Sequence, residues 1–196
     1  MAGPDAIRSA LSNRNYRRYA AGSFCSHLGT WIQRVAVGWL AWELTHSGFW
    51  LGMIAVADLA PTVFLAPICG VVADRVNRLH GSRVTQALAA VQAIGLWGMA
   101  VAGWLTIEWL VTMVLVQGVI MAFNQPLRFA IIPSLVEHKG LGSAIAINSI
   151  SFNFARVAGP GLAGWIILSG GVSTAFLVNA VTYIIFVGTM FIIDPD

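Results

Sequence analysis

The stretch FWLGMIAVADLAPTVFLAPICGVV, residues 49–72, carries one charged side chain, Asp58, in 24 positions. A bilayer hydrocarbon core about 30 Å thick is crossed by about 20 apolar residues in a helix. Inside lipid the backbone polar groups must be satisfied within the segment itself, which a helix does and an open strand does not. Residues 49–72 therefore read as a membrane-spanning helix. Working outward, comparable windows occur at 19–42, 84–105, 107–129, 142–168 and 174–193, separated by brief polar punctuation. The fold class expected is an all-α membrane protein of six transmembrane helices. A basic segment at 1–18 precedes the bundle at 19–193, and residues 194–196 close the chain.

Composition agrees: of the 196 residues, 58% are hydrophobic and 10% charged, against roughly 25% charged in an average soluble domain. A formal net charge of +3 does not point to nucleic acid, because the basic residues are distributed by topology. Arg8, Arg14, Arg17 and Arg18 precede the first window, Arg75, Arg78 and Arg83 lie between the second and third, and Arg128 and Lys139 bracket the connection from the fourth to the fifth. The connections at 43–48, 106–108 and 169–173 contain no Lys or Arg. By the positive-inside rule both termini are expected in the cytoplasm of a plasma (inner) membrane, as an even number of passes also requires. Trp39, Trp42, Trp50, Trp104, Trp109 and Trp165 fall near outer window ends and Tyr16 and Tyr19 near an inner one, where amphipathic rings favour the headgroup level. Trp31 and Trp97 read as core filler. The apolar run after residue 18 exceeds the roughly 7 to 15 residues of a signal-peptide core, so no cleaved leader is expected. Cys25 and Cys69 lie inside windows and read as small packed hydrophobes.

Helix one has a polar face. At 100° per residue, Ser23, Ser26, His27, Thr30, Gln33 and Arg34 share about a third of its circumference, with Phe24, Leu28, Trp31, Ile32 and Val35 on the other side. Such a face is costly against lipid and is expected to look into the bundle or a wet cavity. Asp58 in helix two and Arg156 in helix five are further ionisable groups deep in windows. Asp58, Arg156 and Arg34 each lie sixteen residues from positions near the inner boundary, 74, 140 and 18, which at about 1.5 Å per residue gives a common depth of roughly 24 Å. Close contact among the three is the expectation. His27 can serve as a proton relay or as a hydrogen-bonding neighbour. Pro61 and Pro67 interrupt helix two and Pro160 helix five, a matching placement in two triplets that points toward a transport site.

Residues 70–78, GVVADRVNR, are similar to the loop signature G-x-x-x-D-R-x-G-R/K of the major facilitator superfamily, through Gly70, Asp74, Arg75 and Arg78. Asn77 stands where that signature has its second glycine, and Asn tolerates a left-handed turn better than most residues. The resemblance implies that Asp74 is a gating carboxylate, with Arg128 as its partner within this bundle. Residues 155–164, ARVAGPGLAG, resemble the G-P-x-x-G-G motif of the antiporter and exporter branches, through Gly159, Pro160 and Gly164, with Ala163 replacing the penultimate glycine. NYRRY at 15–19, ELTHS at 43–47, AFNQPLR at 122–128 and AINSISFNFAR at 146–156, with Asn148, resemble the group that includes enterobactin exporters and macrolide-efflux proteins. One departure concerns proton coupling: where many members carry Arg three residues before a Q-G pair, here Gln117–Gly118, this chain has Val114.

The resemblance implies the N-terminal bundle of a twelve-helix transporter with a 3+3 inverted repeat. It implies export of a small amphipathic molecule, such as a drug or siderophore, by alternating access and proton antiport. The expected substrate or proton path comprises His27, Gln33, Arg34, Asp58 and Asn148. Expected partners are the lipid bilayer, the small-molecule substrate, and a C-terminal six-helix half or a dimer mate. No phosphate-binding loop, metal-ligand spacing or nucleophile constellation is evident, so neither an ATP-driven pump nor an enzyme is expected, and no cofactor. The rival reading is a half-size membrane protein without transport activity, or a gene fragment.

Overall fold

The computed structural model describes residues 12–136 and 140–193. Arg8, Lys139 and the end at 194–196 lie outside the described residues. Within them the protein is all-helical, with no strand. Helix α1 spans Arg14–Thr45, α2 Gly48–Arg75, α3 Arg78–Val101, α4 Ile107–Leu135 and α5 Leu141–Ile192.

Side-chain capping explains where α1 and α3 start. The Asn13 side chain accepts the Asn15 and Tyr16 N–H groups at 2.9 and 3.2 Å, so α1 begins at Arg14, five residues before the expected boundary. Asn77 accepts the His80 N–H at 3.0 Å and stands at φ −61°. It is thus the N-cap of α3 rather than a left-handed stand-in for glycine. Helix α4 runs through Pro126 and Pro133 to Leu135, six residues beyond the expected 129.

The last element contains 52 residues, about 78 Å if straight, more than twice the thickness of a hydrocarbon core. It is not straight: Gly171 stands at φ 79° and ψ 172°, outside the helical region and rarely open to a side chain. The expected polar connection at 169–173 is reduced to that reversal. Both ends of α5 return to the start of α1, where Tyr16 Oη donates to the Ala144 carbonyl at 2.9 Å and Arg18 Nη1 to the Ile192 carbonyl at 3.3 Å. Thus α5 is a hairpin of two antiparallel arms.

Helix α1 packs chiefly on α5, α2 on α4, and α3 on both α4 and α5. One apolar cluster joins Ile32, Ala36, Ala41, Leu96, Leu110 and Phe176; a second, toward the other end, joins Tyr16, Tyr19, Ile131, Ile132, Phe186 and Met190. Tyr16 and Tyr19 are each 1% exposed. They are core residues whose hydroxyls find carbonyl partners, not headgroup anchors. Outside, Phe64, Val157 and Leu168 are 78, 81 and 85% exposed, an arrangement suited to lipid and not to water. Helices α2 to α5 are long and apolar enough to cross a membrane.

Gly159 and Gly164, two of the three glycines of the 155–164 segment, differ in packing. A Cβ on Gly159 would meet the Cβ of Trp31 at 2.5 Å, whereas Gly164 faces open space. Gly159→Ala is expected to destabilise the bundle by about 1–3 kcal/mol through overpacking, and Gly164→Ala to be nearly neutral. Parallel unfolding titrations in mixed micelles check the contrast, and equal losses would contradict it.

Candidate functional site

The polar face of α1 lies against the other helices, and nearly every member has a partner there. Ser23 Oγ accepts from Arg128 Nη2 at 2.7 Å, and the Ser23 carbonyl accepts from the same nitrogen at 3.3 Å. Ser26 Oγ receives Arg128 Nη1 at 3.4 Å and Gln86 Nε2 at 3.3 Å. His27 Nε2 lies 3.4 Å from Ser23 Oγ, and its ring meets Phe152 edge-on at 5.2 Å. Thr30 Oγ1 and Tyr183 Oη are 2.9 Å apart, and Gln117 Nε2 donates to the same tyrosine hydroxyl at 2.8 Å. Gln33 Oε1 accepts from Asn179 Nδ2 at 2.6 Å while Gln33 Nε2 donates to Gln92 Oε1 at 3.4 Å. Gln92 continues to the Met113 carbonyl at 3.0 Å. Three chains of polar contacts thus run inward from one face of α1 to α3, α4 and the second arm of α5.

The one salt bridge among the described residues joins Arg34 Nη2 to Asp58 Oδ2 at 2.9 Å. The Arg34 guanidinium also lies 4.9 Å from the centre of the Trp31 ring. Side-chain exposures of 39% for Arg34 and 21% for Asp58 leave the pair partly open. Two cavities flank it. The first, about 170 Å³, is bordered by His27, Thr30, Trp31, Arg34, Asn124, Arg128, Asn148 and Phe152 among others. The second, about 210 Å³, is bordered by Gln33, Arg34, Ile54, Asp58 and Gln117. Arg34 belongs to both.

Of the three charges expected to meet, two do. Arg156 is exposed on α5 and lies outside the Arg34–Asp58 bridge. Depth along the membrane normal gives height and not azimuth, so a shared depth does not bring Arg156 to this pair. Arg128 differs as well. Because α4 continues two turns past it, Arg128 is 9% exposed inside the bundle and holds serines of α1, not Asp74. Asp74 and Arg75 are exposed at the end of α2, with Gly70 one turn earlier in the same helix.

Arg78 and Arg83 act as clamps. Arg78 Nη1 reaches the Ala130 carbonyl at 3.4 Å, and Arg83 Nε and Nη2 reach the Met190 carbonyl at 3.0 and 2.7 Å. Met190 lies among the last four residues of α5, whose carbonyls lack a helical partner and favour such donors. Topology alone had seemed sufficient reason for Arg83. Tyr183, Asn179, Gln86 and Gln92 complete the site without having been singled out in the sequence, and Asn124 joins them from within the AFNQPLR segment. Each lies in a largely apolar run with at most one polar neighbour beside it, which is a weak signal. Among the described residues no cluster of His, Cys, Asp and Glu is arranged to hold a metal.

The chain is 26% identical over 171 residues to the staphyloferrin A transporter of Staphylococcus aureus, covering 85% of this chain and 42% of that one. It is 24% identical over 183 residues to the uncharacterized MFS-type transporter YfiS of Bacillus subtilis, covering 90% and 41%. It therefore spans less than half the length of these relatives. No solved structure matches. The pattern of the transmembrane secretion effectors matches residues 7–195, nearly all of the 196 present. On that match the chain belongs to the transmembrane secretion effector family of the major facilitator superfamily.

Proposed function

We propose that this chain is the N-terminal half of a secondary transporter that exports a small amphipathic molecule, of the drug or siderophore kind, by alternating access coupled to proton antiport. The observation that carries the proposal is the Arg34–Asp58 bridge bordering two cavities within a bundle whose outer surface is apolar. Substrate arriving at Arg34 would compete with Asp58 for the guanidinium, which ties binding to the one carboxylate that borders either cavity.

In this reading α1 to α4 and the two arms of α5 make six passes in a 3+3 arrangement, with both termini in the cytoplasm of the plasma membrane. Asp74 at the end of α2 is exposed and would be available to a second half. Rocking of one bundle against another around a central site requires either a C-terminal six-helix half or a dimer mate. The relatives' greater length supports the first.

Proteoliposomes provide the test, with labelled staphyloferrin A as the probe. Vesicles holding the chain with a second six-helix bundle are expected to move the probe when a pH gradient is imposed, and vesicles holding demonstrably monomeric chain are not. Robust transport by the monomer would overturn the half-transporter reading. Failure of the paired form would favour the rival reading, a half-size membrane protein without transport activity.

A further inference from the structure

Arg128 is a buried cation whose observed partners are all neutral. Its Nη atoms contact Ser23 Oγ, the Ser23 carbonyl and Ser26 Oγ, and its guanidinium carbon lies 4.5 Å from the centre of the Phe186 ring. Among the described residues no carboxylate stands within 4.0 Å of it, since the single ion pair is Arg34–Asp58. Moving an ion out of water costs several kcal/mol even after the surroundings relax, and two serines offset part of that. A guanidinium has five N–H donors; three hydrogen bonds are made here, and donors remain for the cavity that Arg128 borders.

The walls of that cavity are one-sided in charge. Arg34 and Arg128 line it together with His27, and neither Asp nor Glu does. Trp31, Phe129 and Phe152 supply aromatic surface, and Asn148 and Asn153 supply amide groups. A cationic guest would add positive charge where no carboxylate receives it. An anion supplies the missing counter-charge, and an aromatic body covers the apolar wall.

We propose that this cavity is a subsite for an amphipathic anion, a carboxylate or similar group on an aromatic or apolar frame, with Arg128 as the charge anchor and Arg34 as the second contact. The proposal rests on the transporter reading and names its substrate class. It also links binding to coupling, because an anion engaging Arg34 competes with Asp58 for the same guanidinium.

The test compares 2-naphthoate with 2-naphthamide, which share a frame and differ in charge. Calorimetric titrations use the full chain in nanodiscs of zwitterionic lipid, with protein-free discs subtracted for partitioning. Saturable binding of naphthoate at least tenfold tighter than that of the amide is expected. Arg128→Gln should bring naphthoate to the level of the amide, and Arg128→Lys should keep part of the preference. Equal binding of the two probes by the wild-type chain overturns the proposal, as does a preference that survives Arg128→Gln. Should Arg128→Gln fail to fold, the wild-type comparison still decides, with Arg34→Gln as the second variant, expected to weaken naphthoate binding severalfold. A naphthoate preference without export would sink the transporter reading and leave the anion site standing; export without the preference does the reverse.

Discussion

Under the proposed antiport, and in the assembly of this chain with a second six-helix bundle, Asp58→Asn is expected to lower export driven by a pH gradient by at least tenfold, while leaving the amount of folded protein close to that of the wild type. The asymmetry follows from the setting of the pair. An ion pair with side chains 39 and 21% exposed contributes about 0–1 kcal/mol to stability, so losing its charge costs the fold little. A neutral amide can still accept from Arg34 but cannot take up and release a proton, so any cycle that depends on the carboxylate stops. The measurement is initial export rate against imposed pH difference, beside monodispersity in detergent. Unchanged export would make Asp58 a structural partner of Arg34 and nothing more.

Gln33→Leu is expected to act in the opposite way, on stability first. Gln33 is 5% exposed and joins Asn179, 0% exposed, to Gln92, 6% exposed. An apolar replacement leaves the Asn179 amide nitrogen and the Gln92 carbonyl oxygen buried without their partner. Each orphan carries a desolvation cost of about 1–3 kcal/mol. Membrane interiors soften such costs, since freed groups find substitutes, with an average near 0.6 kcal/mol per interaction. A net loss of roughly 1–3 kcal/mol in a denaturant titration follows. Asn179→Leu is expected to match it, and the double variant to cost much less than the two singles added. Additive losses would show that the two amides do not act as a unit.

The parts of this architecture that the sequence made legible are those with a period. Helix α1 repeats its polar residues at helical spacing, so its face could be read before any partner was known. The apolar windows gave the helices, although α1 and α4 run five and six residues further than hydropathy alone suggests. Those extensions depend on Asn13 as a cap and on a helix that continues past Pro133; the first adds RNYRR, which holds no apolar run, and the second crosses a proline that reads as a stop. The partners were less legible because they are scattered polar side chains in largely apolar runs. Nothing in the spacing of Asn179 or Tyr183 says that they face Gln33 and Thr30. Arg156 and Arg128 illustrate the remaining limit. Residue counting put the first at the depth of Asp58, and motif resemblance put the second beside Asp74. Which way each side chain turns about its helix axis depends on how the helices pack.

The hairpin at Gly171 also constrains how the chain is built. Its two arms leave the ribosome one after the other with a single reversing residue between them, so neither has a polar linker on which to pause outside the bilayer. They must enter together, as one inserting unit. The fastening comes later still: the Arg18 contact to the Ile192 carbonyl joins residues 174 apart in sequence, and Arg83 reaches the Met190 carbonyl across 107. Arg18 and Arg83 thus wait through most of synthesis for the carbonyls that finally hold them. Until the last arm arrives, the polar side chains of α1 meant for Asn179 and Tyr183 stand open within the membrane.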